Sequence, residues 1–223
     1  SAFAKHEPWP EEPSRDEPSV MIDALKFADA MAVRPVIIAN HPSRSAGPLS
    51  AYGLDRPEEL RDWNDTAPQV AIGMEGAPGH QAATLNRDGR PKVLARRGGY
   101  SQALTLGGFD PMTAKLGGFW DSMLGEGRPW RVTSTSDSHV HYTEGGNDFW
   151  PGEFSKTYVY ARFDQDDILD GLRKGRVFVT TGDLISELDI AASIGGEAVG
   201  MGGKLYIESG DDVTITIRVK DPD

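Results

Sequence analysis

The sequence predicts an α/β fold: a mainly parallel sheet or barrel over the first three quarters of the chain, then a small antiparallel β appendage. Three observations predict it. Apolar patterns of strand and helix type alternate from residue 19 to about residue 183, as expected for parallel strands joined by helices. The polar residues His41, Glu75, Asp137 and His139 fall at the C-terminal ends of expected strands, the edge at which parallel α/β folds build their sites. Beyond residue 183 the helical pattern gives way to successive strands, so the chain divides into an α/β unit (1–183) and a β-rich segment (184–223).

The elements follow in order. Residues 7–18 are acidic and proline-rich, an exposed extended connection. A helix opens near Ser19, with Met21, Ala24, Leu25, Phe27, Ala28 and Met31 recurring at helical spacing. Residues 35–40 are a continuous apolar run, suited to a strand buried on both faces and ending at His41. Residues 57–63 make a helical turn or two, and 69–75 a second strand ending at Glu75. Residues 79–110 are rich in Gly, Arg and polar residues without a sustained period, a long surface excursion of the kind that covers active sites. Residues 111–125 resume a helix, and 128–133 form a short strand that leads to Asp137. A strand over 156–162, a helix over 164–173 stopped by Gly175, and a strand over 177–180 complete the unit. Strands over 184–190, 202–207 and 213–219, the last strictly alternating, form the appendage.

Composition sets the limits on function. The 223-residue chain is 38% hydrophobic and 26% charged, long enough to bury a sizeable core. Its formal net charge of −11 argues against a nucleic-acid-coating surface, which needs clustered Lys and Arg. A small anionic substrate stays compatible, because bound metal ions reverse the local field. No apolar run approaches the roughly 18 residues of a membrane-spanning helix, and no membrane role is expected. The sequence leaves the cellular compartment open. With no cysteine, any metal must be held by His, Asp or Glu.

Asp137 and His139 stand two residues apart just beyond an expected strand, where side chains at i and i+2 point to one side. Carboxylate oxygen and neutral imidazole nitrogen both ligate zinc, manganese or iron, and two ligands from one backbone lower the ordering cost of a site. An isolated Asp-x-His is more often an ordinary polar loop with one surface Asp and two surface His. What raises its standing is the agreement with His41 and Glu75 on two other strand ends.

Residues 37–44 (Ile-Ile-Ala-Asn-His-Pro-Ser-Arg), Ser136-Asp137-Ser138-His139 and the Gly-Arg-Val-Phe-Val run at 175–179 resemble the later motifs of the PHP family, the polymerase and histidinol phosphatase metallohydrolases. The order of motifs is most similar to the CehA/McbA-like branch, and the resemblance covers about residues 30–185. It implies the C-terminal part of a distorted (β/α)7 TIM-like barrel. It also implies a cluster of two or three divalent ions, zinc, manganese or iron, that hydrolyses phosphoesters and in some members other esters. His41 then matches the ligand of the His-Pro motif, Asp137 and His139 the late ligand pair, and His6 a histidine one βα unit upstream of His-Pro. The substrate implied is a small phosphorylated or ester compound.

One departure stands out. The family opens with His-x-His, another His and a metal-bridging Glu before His-Pro, and none of the roughly 40 residues before His41 supplies His-x-His. The expectation is therefore that this chain is the C-terminal part of a longer protein, lacking the N-terminal part of the same fold. Glu75 follows His41 and does not inherit the bridging role by order. It is expected as a base just outside the metal ligands or as a carboxylate that orients a ligand histidine, with a purely structural hydrogen-bonding role as the favoured alternative. Arg44 is the candidate to pair with a substrate oxyanion through its planar fork, with a surface ion pair as its ordinary alternative. His80 and His141 can face the cleft or the solvent, and the aromatic residues Trp120, Trp130, Phe149 and Trp150 are expected to pack.

Two other readings are compatible with these residues. One is a mononuclear amidohydrolase-like hydrolase of ester or C–N bonds using Asp137, His139 and His141. The other is a non-catalytic module in which the α/β unit and the β appendage bind a partner or glycan. Metal content separates the three: two or three equivalents, one, or none.

Overall fold

The computed structural model describes residues 17–46, 52, 56–78, 109–135, 155–181 and 184–221. They form a mixed α/β structure with one parallel and two antiparallel sheets, and no closed barrel among them. No helix in these residues is long and apolar enough to cross a membrane.

The centre is a three-stranded parallel sheet in the order β1 (Ile37–Ala39), β2 (Ala71–Glu75), β3 (Arg131–Thr133). All five residues of β2 are buried, as its unbroken apolar run requires of a middle strand covered on both faces. Gly73 fits a specific constraint. A Cβ there would stand 2.1 Å from the carbonyl oxygen of Arg131, so only glycine lets β2 approach β3 this closely.

α1 (Pro18–Asp29) takes Pro18 as its first residue, where the missing N–H is no loss, so the connection read over 7–18 ends one residue early. Its buried stripe is Leu25 and Ala28, which pack with Ala67, Val70 and Ala71. Phe27 and Met31, expected on that face, are exposed. Phe27 lies about 200° around the helix from Leu25, off the narrow stripe. α2 (Pro57–Thr66) contributes Leu60 and, through Trp63, joins the two halves of the core.

The helix expected over 111–125 is instead two, α3 (Pro111–Ala114) and α4 (Phe119–Gly125). The break is at Gly117, in the left-handed region at φ 69°, followed by Gly118. Consecutive glycines make leaving the helix cheap there, and the tip residue Leu116 is fully out in solvent. Met112, Phe119, Met123 and Trp130 then close over Ala39, Leu60 and Met74. Complete burial of each of these large side chains contributes roughly 1.5–3 kcal/mol. Trp120 and Trp130 thus pack, as expected. Outside this core, Arg61 and Arg128 converge on Glu126, at 2.7 and 2.6 Å, and Arg128 also pairs with Asp65.

β4 (Ser155–Val159), α5 (Gln165–Lys174) and β5 (Val177–Thr181) follow, α5 and β5 within one residue of expectation and β4 ending three residues before the expected 162. Asp164 caps α5 by accepting from the Asp167 N–H, and Gly175 ends it in the left-handed region at φ 74°. The sheet expected here is mainly parallel, and this last pair of strands is where it departs from parallel. β4 and β5 pair antiparallel, Val159 opposite Val177, so α5 is an excursion between the arms of a hairpin rather than a crossover. Ser155 and Thr157 of β4 bond Ser134, just beyond β3, and so join this hairpin to the central sheet. At the opposite edge the Arg173 guanidinium donates to the carbonyls of Gln69, Arg34 and Pro35, and that of Arg131 donates to the Arg173 carbonyl.

The C-terminal sheet has the order β7 (Glu197–Gly200), β6 (Glu187–Ile194), β8 (Thr214–Lys220), all antiparallel. Where a strand is expected over 202–207, residue 202 lies in a turn and 203–207 carry no regular structure. The return strand is β7, because Gly195 and Gly196 both adopt positive φ and close a two-residue hairpin before that point.

Candidate functional site

In a parallel sheet all strands end on one edge, and here that edge gathers His41 after β1, Glu75 at the end of β2, and Ser134 and Thr135 after β3. β2 is the middle strand, so its last residue is flanked on one side by the chain leaving β1 and on the other by the chain leaving β3. Glu75 uses both sides. Its Oε2 accepts the backbone N–H of His41 at 2.9 Å, and its Oε1 accepts the hydroxyl of Thr135. The residue is completely buried. A carboxylate withdrawn from water is tolerated only when such donors replace its hydration.

His41 has φ 32°, the sole positive φ of a non-glycine among the described residues. Left-handed backbone in a β-carbon-bearing residue costs of order 1–3 kcal/mol and persists only where its surroundings impose it. Here they do so from several directions. Glu75 holds the His41 N–H, the Arg44 N–H closes a turn onto the His41 carbonyl at 3.0 Å, and Pro42 beside it is fully buried. With its backbone engaged in this way, His41 presents a half-buried imidazole at the sheet edge. Arg44, one turn on, is exposed.

A second buried carboxylate, Asp110, grips the same turn. Its Oδ2 accepts the Ser43 N–H at 2.9 Å, and its Oδ1 accepts the Ser43 hydroxyl at 2.7 Å and the Met112 N–H at 2.8 Å. Asp110 is itself located by its own N–H, which donates to the Gly76 carbonyl immediately after Glu75. Gly76 is packed too tightly for a side chain, since a Cβ would meet Thr113 Oγ1 at 2.3 Å and Val132 Cγ1 at 2.6 Å.

Of the residues singled out in the sequence, the structure brings His41 and Glu75 together and places Arg44 at the rim of the same turn. Asp137, His139, His6, His80 and His141 lie outside the described residues, as do residues 79–108 of the long excursion and Phe149 and Trp150. Among the described residues no group of three or more His, Asp or Glu is placed to hold a metal ion. What they supply is one imidazole, His41, and the end of β3 from which the chain runs on to Asp137 and His139. Imidazole and carboxylate without thiolate is a donor set that fits zinc, manganese or iron. A surface cleft of about 210 Å³ between α1 and α2, lined by Ile22, Arg56, Glu58, Asp62 and Trp63 among others, includes none of these residues.

No protein-family model, no curated protein and no solved structure matches the chain.

Sequence reasoning missed Asp110, Ser43 and Thr135. Asp110-Pro111 did carry a local signal, a capping residue followed by proline at the first helical position. What it holds 67 residues away carries none.

Proposed function

We propose that this chain carries part of the metal centre of a PHP-type hydrolase, acting most naturally on a small phosphoester. The supporting observation is the Glu75 carboxylate, which ties the backbone of His41 to the hydroxyl of Thr135, two residues before Asp137. The His-Pro stretch is thereby fastened to the residue that immediately precedes the Ser-Asp-x-His stretch, at one edge of a parallel sheet. In this reading the central sheet belongs to a distorted (β/α)7 barrel and residues 184–223 are an appendage to it.

His41, Asp137 and His139 would hold divalent ions, with His6 as a further ligand. When bound, such ions activate water and offset charge on the substrate's oxygens. The chain's own groups do the positioning. Glu75 fixes the backbone from which the His41 ring projects, and its engaged oxygens suit an orienting carboxylate better than a proton acceptor. Arg44, exposed on the same turn, offers a planar pair of donors to a phosphoryl or carboxylate oxygen.

The test is metal stoichiometry by elemental analysis of the purified protein, with hydrolysis of p-nitrophenyl phosphate. Two or three equivalents, lost together with turnover in Asp137→Ala, support the proposal. One equivalent favours a mononuclear hydrolase, and none favours a binding module. Unchanged metal content and turnover in Asp137→Ala would remove the assignment.

A further inference from the structure

We infer that Asp110 is a positioning residue for His41, acting through Ser43; the inference rests on the metal-ligand reading of His41 given above. Two features of the geometry point to this role. Asp110 is fully buried at the end of the long excursion, yet two of its three bonds just given go to the turn that begins at His41 rather than to its own helix. That turn holds His41 in a backbone conformation its β-carbon disfavours, so something must resist relaxation toward φ near −60°.

Glu75 restrains the N-terminal side of the turn, at the His41 N–H. Asp110 restrains the other side, by the N–H and the hydroxyl of Ser43, while Pro42 between them removes one soft dihedral. Releasing Ser43 lets the turn pivot about the remaining anchor and moves the imidazole. A bare capping role for Asp110 explains only the bond to Met112, and α3 is four residues long. Groups that orient metal-ligating histidines typically change metal affinity about 10–100-fold when altered.

Asp110→Asn separates the two roles. Asparagine caps helices as well as aspartate does. With Oδ1 still accepting from Met112 and the Ser43 hydroxyl, the amide NH2 takes the place of Oδ2 and opposes the Ser43 N–H, donor against donor. The experiment is a Co(II) titration of the full chain, followed by visible absorption, on wild type, Asp110→Asn, Ser43→Ala and His41→Ala, with thermal unfolding of each. Met123→Ala, a core truncation outside the turn, controls for lost stability alone.

The expected result is Co(II) affinity about 10–100-fold weaker in Asp110→Asn, with altered ligand-field bands and an unfolding temperature lowered no further than that of Met123→Ala. Ser43→Ala weakens binding several-fold in the same direction, and decides the matter if Asp110→Asn does not fold. Met123→Ala unfolds earlier but keeps wild-type affinity. Wild-type affinity and bands in both turn variants, where wild type binds Co(II) and His41→Ala does not, overturn the role of Asp110 alone. Absence of Co(II) binding in wild type, or full binding in His41→Ala, overturns the metal reading and this inference with it.

Discussion

Glu75 and His41, 34 residues apart, are joined by one hydrogen bond of 2.9 Å from the His41 backbone N–H to Glu75 Oε2. The bond spans adjacent parallel strands at the edge where α/β folds place their chemistry. It makes a buried carboxylate the fixed point from which a strained histidine is held. Because the other Glu75 oxygen takes the Thr135 hydroxyl, the group closes a link across all three strands of the sheet.

That arrangement predicts different outcomes for two substitutions of Glu75. Glutamine keeps the shape, accepting from His41 N–H with its carbonyl and presenting its amide to Thr135 Oγ1. Alanine leaves the His41 N–H without its acceptor and opens a cavity. Glu75→Ala is expected to lose about 2–4 kcal/mol in urea unfolding, and Glu75→Gln less than half of that. Glu75→Gln also keeps a measurable share of any hydrolytic activity. Complete loss of turnover in a stably folded Glu75→Gln would mark Glu75 as a base instead.

The backbone of His41 makes a second prediction. At φ 32° glycine is at ease and alanine is not. His41→Gly should therefore be more stable than His41→Ala by about 1 kcal/mol, the reverse of the order in a helix or strand. Both lose the imidazole, so their metal content should fall equally. Chemical denaturation of the pair is sufficient; greater stability in the alanine variant would show that the turn does not hold this conformation in solution.

Gly73 supplies a test of the sheet itself. A methyl group 2.1 Å from the Arg131 carbonyl oxygen cannot be accommodated by rotating a side chain, because the obstacle is backbone. β2 and β3 must separate, with loss of packing at Met74 and Val132. Gly73→Ala is expected to destabilise by roughly 3 kcal/mol or more, or to prevent folding, as read by circular dichroism and unfolding midpoint. A near-neutral result would mean that the two strands do not approach in this register.

These expectations also indicate which parts of the molecule were legible in the sequence. α5 is legible almost to the residue, since its stop signal, Gly175, acts within its own last turn. Glu75 and His41 were found because each ends an unbroken apolar run, and such a run places its last residue at a sheet edge. The antiparallel pairing of β4 with β5 was not legible, because periodicity reports burial of a strand's faces and carries nothing about direction. The strand expected over 202–207 is absent for a related reason: the hairpin at Gly195 and Gly196 already provides β6 with a partner. Asp110 looked like a cap and is one, but its hold on Ser43 depends on a contact across 67 residues that no local pattern encodes.

The ion pairs outside the core give a pH prediction. Hydrogen bonds from Arg61 and then Arg128 hold the Glu126 carboxyl down at about 2, against an ordinary 4.5. A carboxylate whose folded-state pKa is depressed stabilises fully above its unfolded value and loses that contribution as pH falls toward the folded value. The contribution from Glu126 is thus present above pH 4.5 and disappears between 4.5 and about 2. The group is solvent-accessible, so salt screens the effect and its size is modest. Urea midpoints measured from pH 6 to pH 2 should fall less steeply for Glu126→Gln than for wild type below about pH 4.5, with the difference shrinking in high salt. Parallel acid limbs for the two proteins would show that Arg61 and Arg128 do not engage Glu126 in solution.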